Sequence, residues 1–296
     1  MPYAFDEFYS LLSQLDGPQG RDIDVERYIG ALMAELAYYH VPQWEIDAAK
    51  RAKILSPCDA YEYLLQKGVA TDIVGYLNKR DLKAFVVEWI GVLAVGIRAN
   101  NKLFIGFRGT LFRFEWRTNL KCLRVKWDGV GSFHRGFLAE SAVISHMIMQ
   151  QMHSLGMAAV DEVFLSGHSL GGAVAAISEY FLAHDDYNIT TNLYASPRYC
   201  NAGAYAAATR PAPAQIRRRN DAVPSLPPKI FGYKDHPRQY GTNGREYAQA
   251  AENSDGFREA HKIEKYREEL GHTCNAAYAG EHFSDMDKLI EENLSR

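Results

Sequence analysis

The sequence predicts an α/β fold: a mostly parallel central sheet flanked by helices, with an N-terminal helical extension. Three observations carry this. Residues 161–166 form the short apolar run of a buried strand, set between helical stretches at 138–155 and 170–182, so helix, strand, sharp turn and helix make one α/β unit. Residues 189–195 and 215–219 read as further strands, each running into a loop marked by Pro or Asn-Asp, and parallel sheets place their chemistry in loops at the carboxyl ends of strands. A chain of 296 residues that is 47% apolar also has enough side chains for a sizeable core.

The remaining elements follow from local pattern. Val25, Tyr28, Ile29, Leu32, Met33, Leu36 and Ala37 recur at the three-four spacing of an amphipathic helix, with Asp24 available to cap its start and Pro42 beyond its end. Residues 85–98 and 102–107 are rich in β-branched and aromatic side chains, and Asn100-Asn101 between them suits a tight reversal, so they read as a strand pair. Residues 48–80 carry no motif that ties to chemistry. No internal repeat or flexible linker divides the chain, which points to a single domain: residues 1–84 as a helical extension packed on the core and 85–296 as the catalytic region.

Charge and composition exclude several function classes. Lys+Arg at 33 against Asp+Glu at 36 creates no field suited to nucleic acid or an anionic membrane. The run Arg217-Arg218-Arg219 reads as a solvated face. The longest central apolar stretch, 85–97, is interrupted by Glu88, Gly91 and Gly96 and falls short of the roughly 20 residues of a membrane span. The first residues, with Asp6 and Glu7, lack the basic-then-apolar pattern of a secretory signal, so a cytoplasmic location is expected. Cys58, Cys122, Cys200 and Cys274 lie too far apart for a short zinc-binding pair and read as reduced thiols.

The chemistry concentrates at Gly167-His168-Ser169-Leu170-Gly171, a G-x-S-x-G motif with the strand residues Val163-Phe164-Leu165 before it and the small helix residues Gly172-Ala173-Val174-Ala175-Ala176 after it. A serine on so sharp a strand-to-helix turn sits in strained backbone, and side chains two residues to either side would collide with it, hence Gly167 and Gly171. The helix then turns its N-terminal amides toward the reacting oxygen. A serine hydroxyl needs a base, and the base needs a carboxylate, in the chain order Ser, Asp or Glu, His. Asp221, in Asn220-Asp221-Ala222-Val223-Pro224 at a strand end, meets the second requirement. His236, His272 and His282 all follow it, while His261 falls inside a charged helical stretch and reads as poorly placed. Order alone does not choose among them; His282 sits in a loop after Gly280, just before a helical stretch at 285–293, and His272 follows Leu270-Gly271.

Beyond the elbow, Phe107-Arg108-Gly109-Thr110, Glu115-Trp116-Arg117-Thr118-Asn119-Leu120, Phe133-His134-Arg135-Gly136-Phe137, Ser196-Pro197-Arg198, the Asn220–Pro228 block and Phe231-Gly232-Tyr233 stand in an order that resembles the class 3 lipases, fungal-type triacylglycerol lipases and their bacterial relatives. The resemblance runs from about Phe85 to the end, and the helix ending Glu35-Leu36-Ala37-Tyr38-Tyr39 is similar to the family's N-terminal helix. It implies an α/β-hydrolase fold and a triad of Ser169, Asp221 and His282, with His272 as the rival base. It implies Thr110 and the Leu170 amide as oxyanion donors, the latter agreeing with the elbow itself, and a short lid at 111–116 bearing Leu111, Phe112, Phe114 and Trp116. His134 and His168 look like structural positions of the family.

The expected function is hydrolysis of carboxylic esters, acylglycerols or related lipids, through an acyl-enzyme, with no metal or organic cofactor. The partners expected are an ester substrate and, transiently, lipid interfaces, with no nucleic acid and no membrane span. Acyl transfer, phospholipase A-type activity and a catalytically silent binding module are the alternatives. The charged segment 234–271 departs from the family pattern.

Overall fold

Alternating apolar residues build a central sheet whose two faces are both covered by helices. The computed structural model describes residues 6–17, 20–40, 74, 77, 82–89, 91–109, 123–183, 187–208, 210–247 and 257–276. Its sheet contains β1 (Lys83–Trp89), β2 (Val92–Ala99), β3 (Lys102–Phe107), and, after a separate antiparallel hairpin of β4 (Arg124–Trp127) and β5 (Gly131–His134), β6 (Glu162–His168), β7 (Asn188–Tyr194), β8 (Ala214–Arg217) and β9 (Gln239–Gly241). The spatial order is β9-β8-β7-β6-β3-β2-β1. The first three strands are antiparallel to one another, and β3, β6, β7, β8 and β9 run parallel.

The stretch expected as one strand over 85–98 is two strands in register, Phe85 opposite Gly96 and Val87 opposite Ala94. The reversal falls at Gly91, whose φ of 81° only glycine adopts without strain. The expected reversal at Asn100 is present, with φ 56°, a value asparagine tolerates.

Side chains alternate across the sheet because the strand period is two. Leu93, Val95, Ile97, Phe104, Phe164, Tyr194 and Ile216 meet α1 (Asp6–Leu15), α2 (Ile23–Leu36) and the C-terminal α7 (Ile263–Thr273) on one face. Val92, Ala94, Leu103, Ile105, Val163, Leu165 and Leu193 meet α3 (Arg135–Ser154) and α4 (Leu170–Leu182) on the other. Two short helices, α5 (Ala202–Ala207) and α6 (Phe257–Ala260), complete the described elements. Among the described residues no helix is long and apolar enough to cross a membrane.

α2 is capped by Asp22, whose side chain accepts from the amides of Asp24 and Val25 at 3.0 and 3.1 Å. The expected cap, Asp24, instead stands in the first turn, where its charge suits the helix dipole. α2 lies directly on the sheet: a Cβ at Gly106 of β3 would stand 1.9 Å from the Met33 carbonyl oxygen. Tyr194 of β7 donates its hydroxyl to the Arg27 carbonyl, and Asn192 donates to Glu26 at 3.0 Å. Residues 48–73 and the expected helix at 285–293 lie outside the described residues.

The clash at Gly106 is with backbone, so no rotamer change relieves it. Gly106→Ala is expected to destabilise the fold by about 1–3 kcal/mol or more through forced separation of α2 from the sheet. Urea midpoints of the two proteins measure this; an unchanged midpoint would mean that α2 is not seated as described.

Candidate active site

β6 ends at His168 and α4 begins at Leu170, leaving Ser169 at the corner with φ 56° and ψ −128°. That strained conformation persists because its surroundings leave no room to relax. A Cβ on Gly167 would stand 2.2 Å from the Gly171 carbonyl oxygen, and one on Gly171 would stand 2.5 Å from the carbonyl oxygens of Phe107 and Arg108. The Ser169 amide donates to the Tyr194 carbonyl at 2.9 Å, tying the corner to β7.

Asp221 follows β8 and is 0% exposed. Its carboxylate accepts from the Val223 amide at 3.0 Å and the Tyr266 hydroxyl at 2.7 Å. Burial, and then the neighbouring Asp221 charge, push the Tyr266 hydroxyl well above the ordinary tyrosine range, so it stays protonated and donates. Its oxygen in turn accepts from the Arg218 amide at 3.1 Å. Arg198 braces the loop beyond Asp221, donating to the carbonyls of Ser225 and Pro227 and to Asp235.

The imidazole that meets these groups is that of His261. Its Nδ1 donates to the Asp221 Oδ2 at 2.9 Å, which leaves Nε2 to accept from the Ser169 hydroxyl at 2.9 Å. The expectation that His261 lies inside a charged helix and is poorly placed is therefore corrected. The helix breaks between Ala260 and Ile263, where Lys262 is extended with φ −70° and ψ 132°, and the break turns the His261 side chain toward the elbow. Arg218 secures that break by donating to the carbonyls of Glu259 and Ala260 at 3.2 and 2.9 Å and to the Glu269 carboxylate at 2.7 Å.

Arg217 is buried too, its guanidinium 4.6 Å from the Tyr247 ring, so the basic run expected as a solvated face in fact points two of its members inward. His282, expected at the base position, lies outside the described residues. His272 is exposed in the last turn of α7. His236 is buried beside Tyr199 and Tyr205, and burial pushes it down to about 3.

Leu170 contributes the first amide of α4, one of the N–H groups a helix cannot pair internally. Gly109 packs against the elbow, where a Cβ would stand 2.9 Å from the Ser169 Cβ. Thr110 and the lid candidates Leu111, Phe112, Phe114 and Trp116 lie outside the described residues. His134 caps α3, its Nδ1 accepting from the Phe137 amide at 3.3 Å. Cys200 is buried and Cys274 is half-buried.

A serine at a strand-to-helix corner, on a mostly parallel sheet, with histidine and aspartate arriving later in the chain, defines the α/β-hydrolase fold. Residues 104–231 match the family model described as lipase (class 3). It is 29% identical over 160 residues to the secreted mono- and diacylglycerol lipase 1 of Fusarium solani, covering 52% of this chain and 48% of that one. The chain thus spans about half the length of this curated relative. Among solved structures, a triacylglycerol lipase described as having a serine protease triad superimposes with TM-score 0.52 at 19% identity, over 83% of this chain and 92% of that one. The mono- and diacylglycerol lipase of Aspergillus oryzae gives 0.52 at 20% identity over 78% and 82%, and the lipase of Rhizopus microsporus var. chinensis 0.51 at 21% over 77% and 87%. At these identities the likeness establishes a common fold. The cytoplasmic location expected from the first residues does not stand: the Fusarium relative is a secreted protein.

The Tyr266 hydroxyl serves two partners in a site closed to water. Tyr266→Phe leaves an Asp221 oxygen and the Arg218 amide without it, with an expected loss of about 1–3 kcal/mol. A shift of the urea midpoint of that order checks it, and a neutral substitution would show that the Asp221 carboxylate does not need this donor.

Proposed function

We propose that this protein is a serine carboxylic ester hydrolase in which Ser169 is the nucleophile, His261 the base and Asp221 the orienting acid. One observation carries the reading: the unbroken line from the Asp221 Oδ2 through the His261 ring to the Ser169 Oγ, each step 2.9 Å, at the corner of β6 and α4. In this mechanism Asp221 holds the His261 proton on Nδ1, so Nε2 takes the Ser169 proton as Oγ attacks the ester carbonyl. Negative charge develops on the carbonyl oxygen and is met by the Leu170 amide and, by the family resemblance, Thr110. His261 then protonates the departing alcohol, and water repeats the sequence to release the acid.

His261 takes over in this reading the role that the family resemblance gave to His282. Acylglycerols are the proposed substrates, since the Fusarium relative and the Aspergillus structure are named for mono- and diacylglycerol. Export from the cell is proposed on the name of the same relative. The N-terminal helices and the catalytic region are proposed to act as one domain, because α2 and α7 pack on the same sheet face.

Nitrophenyl esters of graded chain length, assayed beside mono-, di- and triacylglycerol emulsions, test the substrate class. Ser169→Ala and His261→Ala are each expected to abolish turnover, with the double variant little worse, because the groups act as a unit. His272→Ala should retain wild-type rates. Asp221→Asn should lower kcat by about 10⁴-fold by favouring the wrong imidazole tautomer. A His261→Ala protein of near-wild-type activity would remove His261 from the role, and the failure of the wild type on every ester would remove the function.

A further inference from the structure

His168 occupies the variable position of the elbow, and proton release from Ser169 does not use it. It is nonetheless buried, and both its ring nitrogens are engaged. Nε2 lies 2.7 Å from the main-chain carbonyl oxygen of His261. A carbonyl only accepts, so Nε2 carries a proton. Burial first, and then the nearby His261, hold the His168 ring well below the ordinary histidine range, so it is neutral and Nδ1 is an acceptor. The Tyr38 hydroxyl, 2.6 Å away, is therefore the donor to Nδ1. The same Tyr38 oxygen accepts from the Gly109 amide at 3.0 Å.

Every donor in this line points the same way: Gly109 N–H to Tyr38, Tyr38 O–H to His168, His168 N–H to the His261 carbonyl. Three separate segments are joined through it. Tyr38 belongs to the 3₁₀ turn Ala37–Tyr39 that ends α2, Gly109 lies two residues beyond β3 and directly before Thr110, and His261 lies in the break before α7. The rings also lie against one another at a tilt, His168 and His261 with centroids 4.7 Å apart and Tyr38 and His168 5.7 Å apart.

We propose that Tyr38 and His168 are positioning residues for His261, forming a hydrogen-bonded strut that fixes the base's main chain relative to the nucleophile. The proposal rests on the ester hydrolase reading above for its kinetic consequence. Its physical content is that consecutive residues of the elbow grip His261 at both ends. Ser169 meets the side-chain tip, and His168 holds the main chain. The ring can then swing little between acid and nucleophile. Because Tyr38 stands in the turn that ends α2, the N-terminal helices contribute directly to catalytic geometry. Misplacement of a base by about 1 Å costs on the order of 100-fold in rate, so a rigid main-chain anchor has a large effect for a contact remote from the substrate.

Three substitutions at His168 separate this role from simple packing, with thermal melting used to confirm that each protein is folded. His168→Gln keeps an amide donor near the Nε2 position, whereas His168→Phe keeps the ring volume and loses the donor. Gln is expected to retain kcat within several-fold, and Phe to lose about 10–100-fold with KM little changed. His168→Asn, too short to reach the carbonyl, should resemble Phe. Tyr38→Phe, which deletes one oxygen at the end of the strut, should show a smaller kcat loss of the same kind. A Phe variant equal to or better than Gln would overturn the proposal, since packing alone predicts that order. Imidazole ¹⁵N shifts of His168 provide a readout independent of turnover: a neutral Nε2–H ring is expected between about pH 5 and 8. A cationic or Nδ1–H ring would overturn the strut even if the protein is an active esterase, while a silent wild type with the expected ring would overturn only the esterase reading.

Discussion

A carboxylate with no access to water is the constraint around which this molecule is arranged. Asp221 is fully buried, and an uncompensated buried charge costs several kcal/mol, so each of its lone-pair directions needs a donor. The donors come from three places: the Val223 amide just beyond it, the Tyr266 hydroxyl on α7, and the His261 ring in the break before α7. Two of the three therefore depend on α7 being docked. α7 docks on α2, where the buried Arg267 and Glu35 pair across the helix interface. α2 in turn lies on β3 so closely that only glycine fits at position 106. The N-terminal helices are thus structurally continuous with the acid.

The elbow exerts a second constraint of a different kind. Ser169 holds a backbone conformation that an isolated chain would abandon, and Gly167 and Gly171 permit neighbouring main chain to close on it from both sides. Tight main-chain packing makes the corner stiff. It also leaves polar side chains as the adjustable parts of the site, which is where Arg218, Tyr266 and His168 act.

Much of this was legible in the sequence. The strand, elbow and helix around Ser169, the strand end before Asp221, and the amphipathic spacing of α2 each carry a local signal, and the structure places them within a residue or a few of the expected bounds. What was not legible depended on tertiary contacts. His261 sits in a charged stretch whose periodicity resembles one helix; the break at Lys262 is fixed by Arg218 reaching back from the end of β8, a contact that pattern reading along the chain does not register. Arg217-Arg218-Arg219 likewise looked solvated because a run of charges says nothing about which carboxylates and carbonyls wait for it.

The pairing of Glu35 with Arg267 joins residues 232 positions apart, and this has a consequence for how the protein comes into being. Closing a loop of that length is entropically slow and waits upon the sheet that both helices cover. During synthesis Ser169 and Asp221 emerge first, and α7 can reach α2 only after nearly the whole described chain has been made. Ser169 and Asp221 therefore exist for a time without the His261 ring that joins them. The line from Asp221 through His261 to Ser169 is completed in one late step, when α7 finds α2, so a half-made or partly folded molecule carries the serine without its histidine.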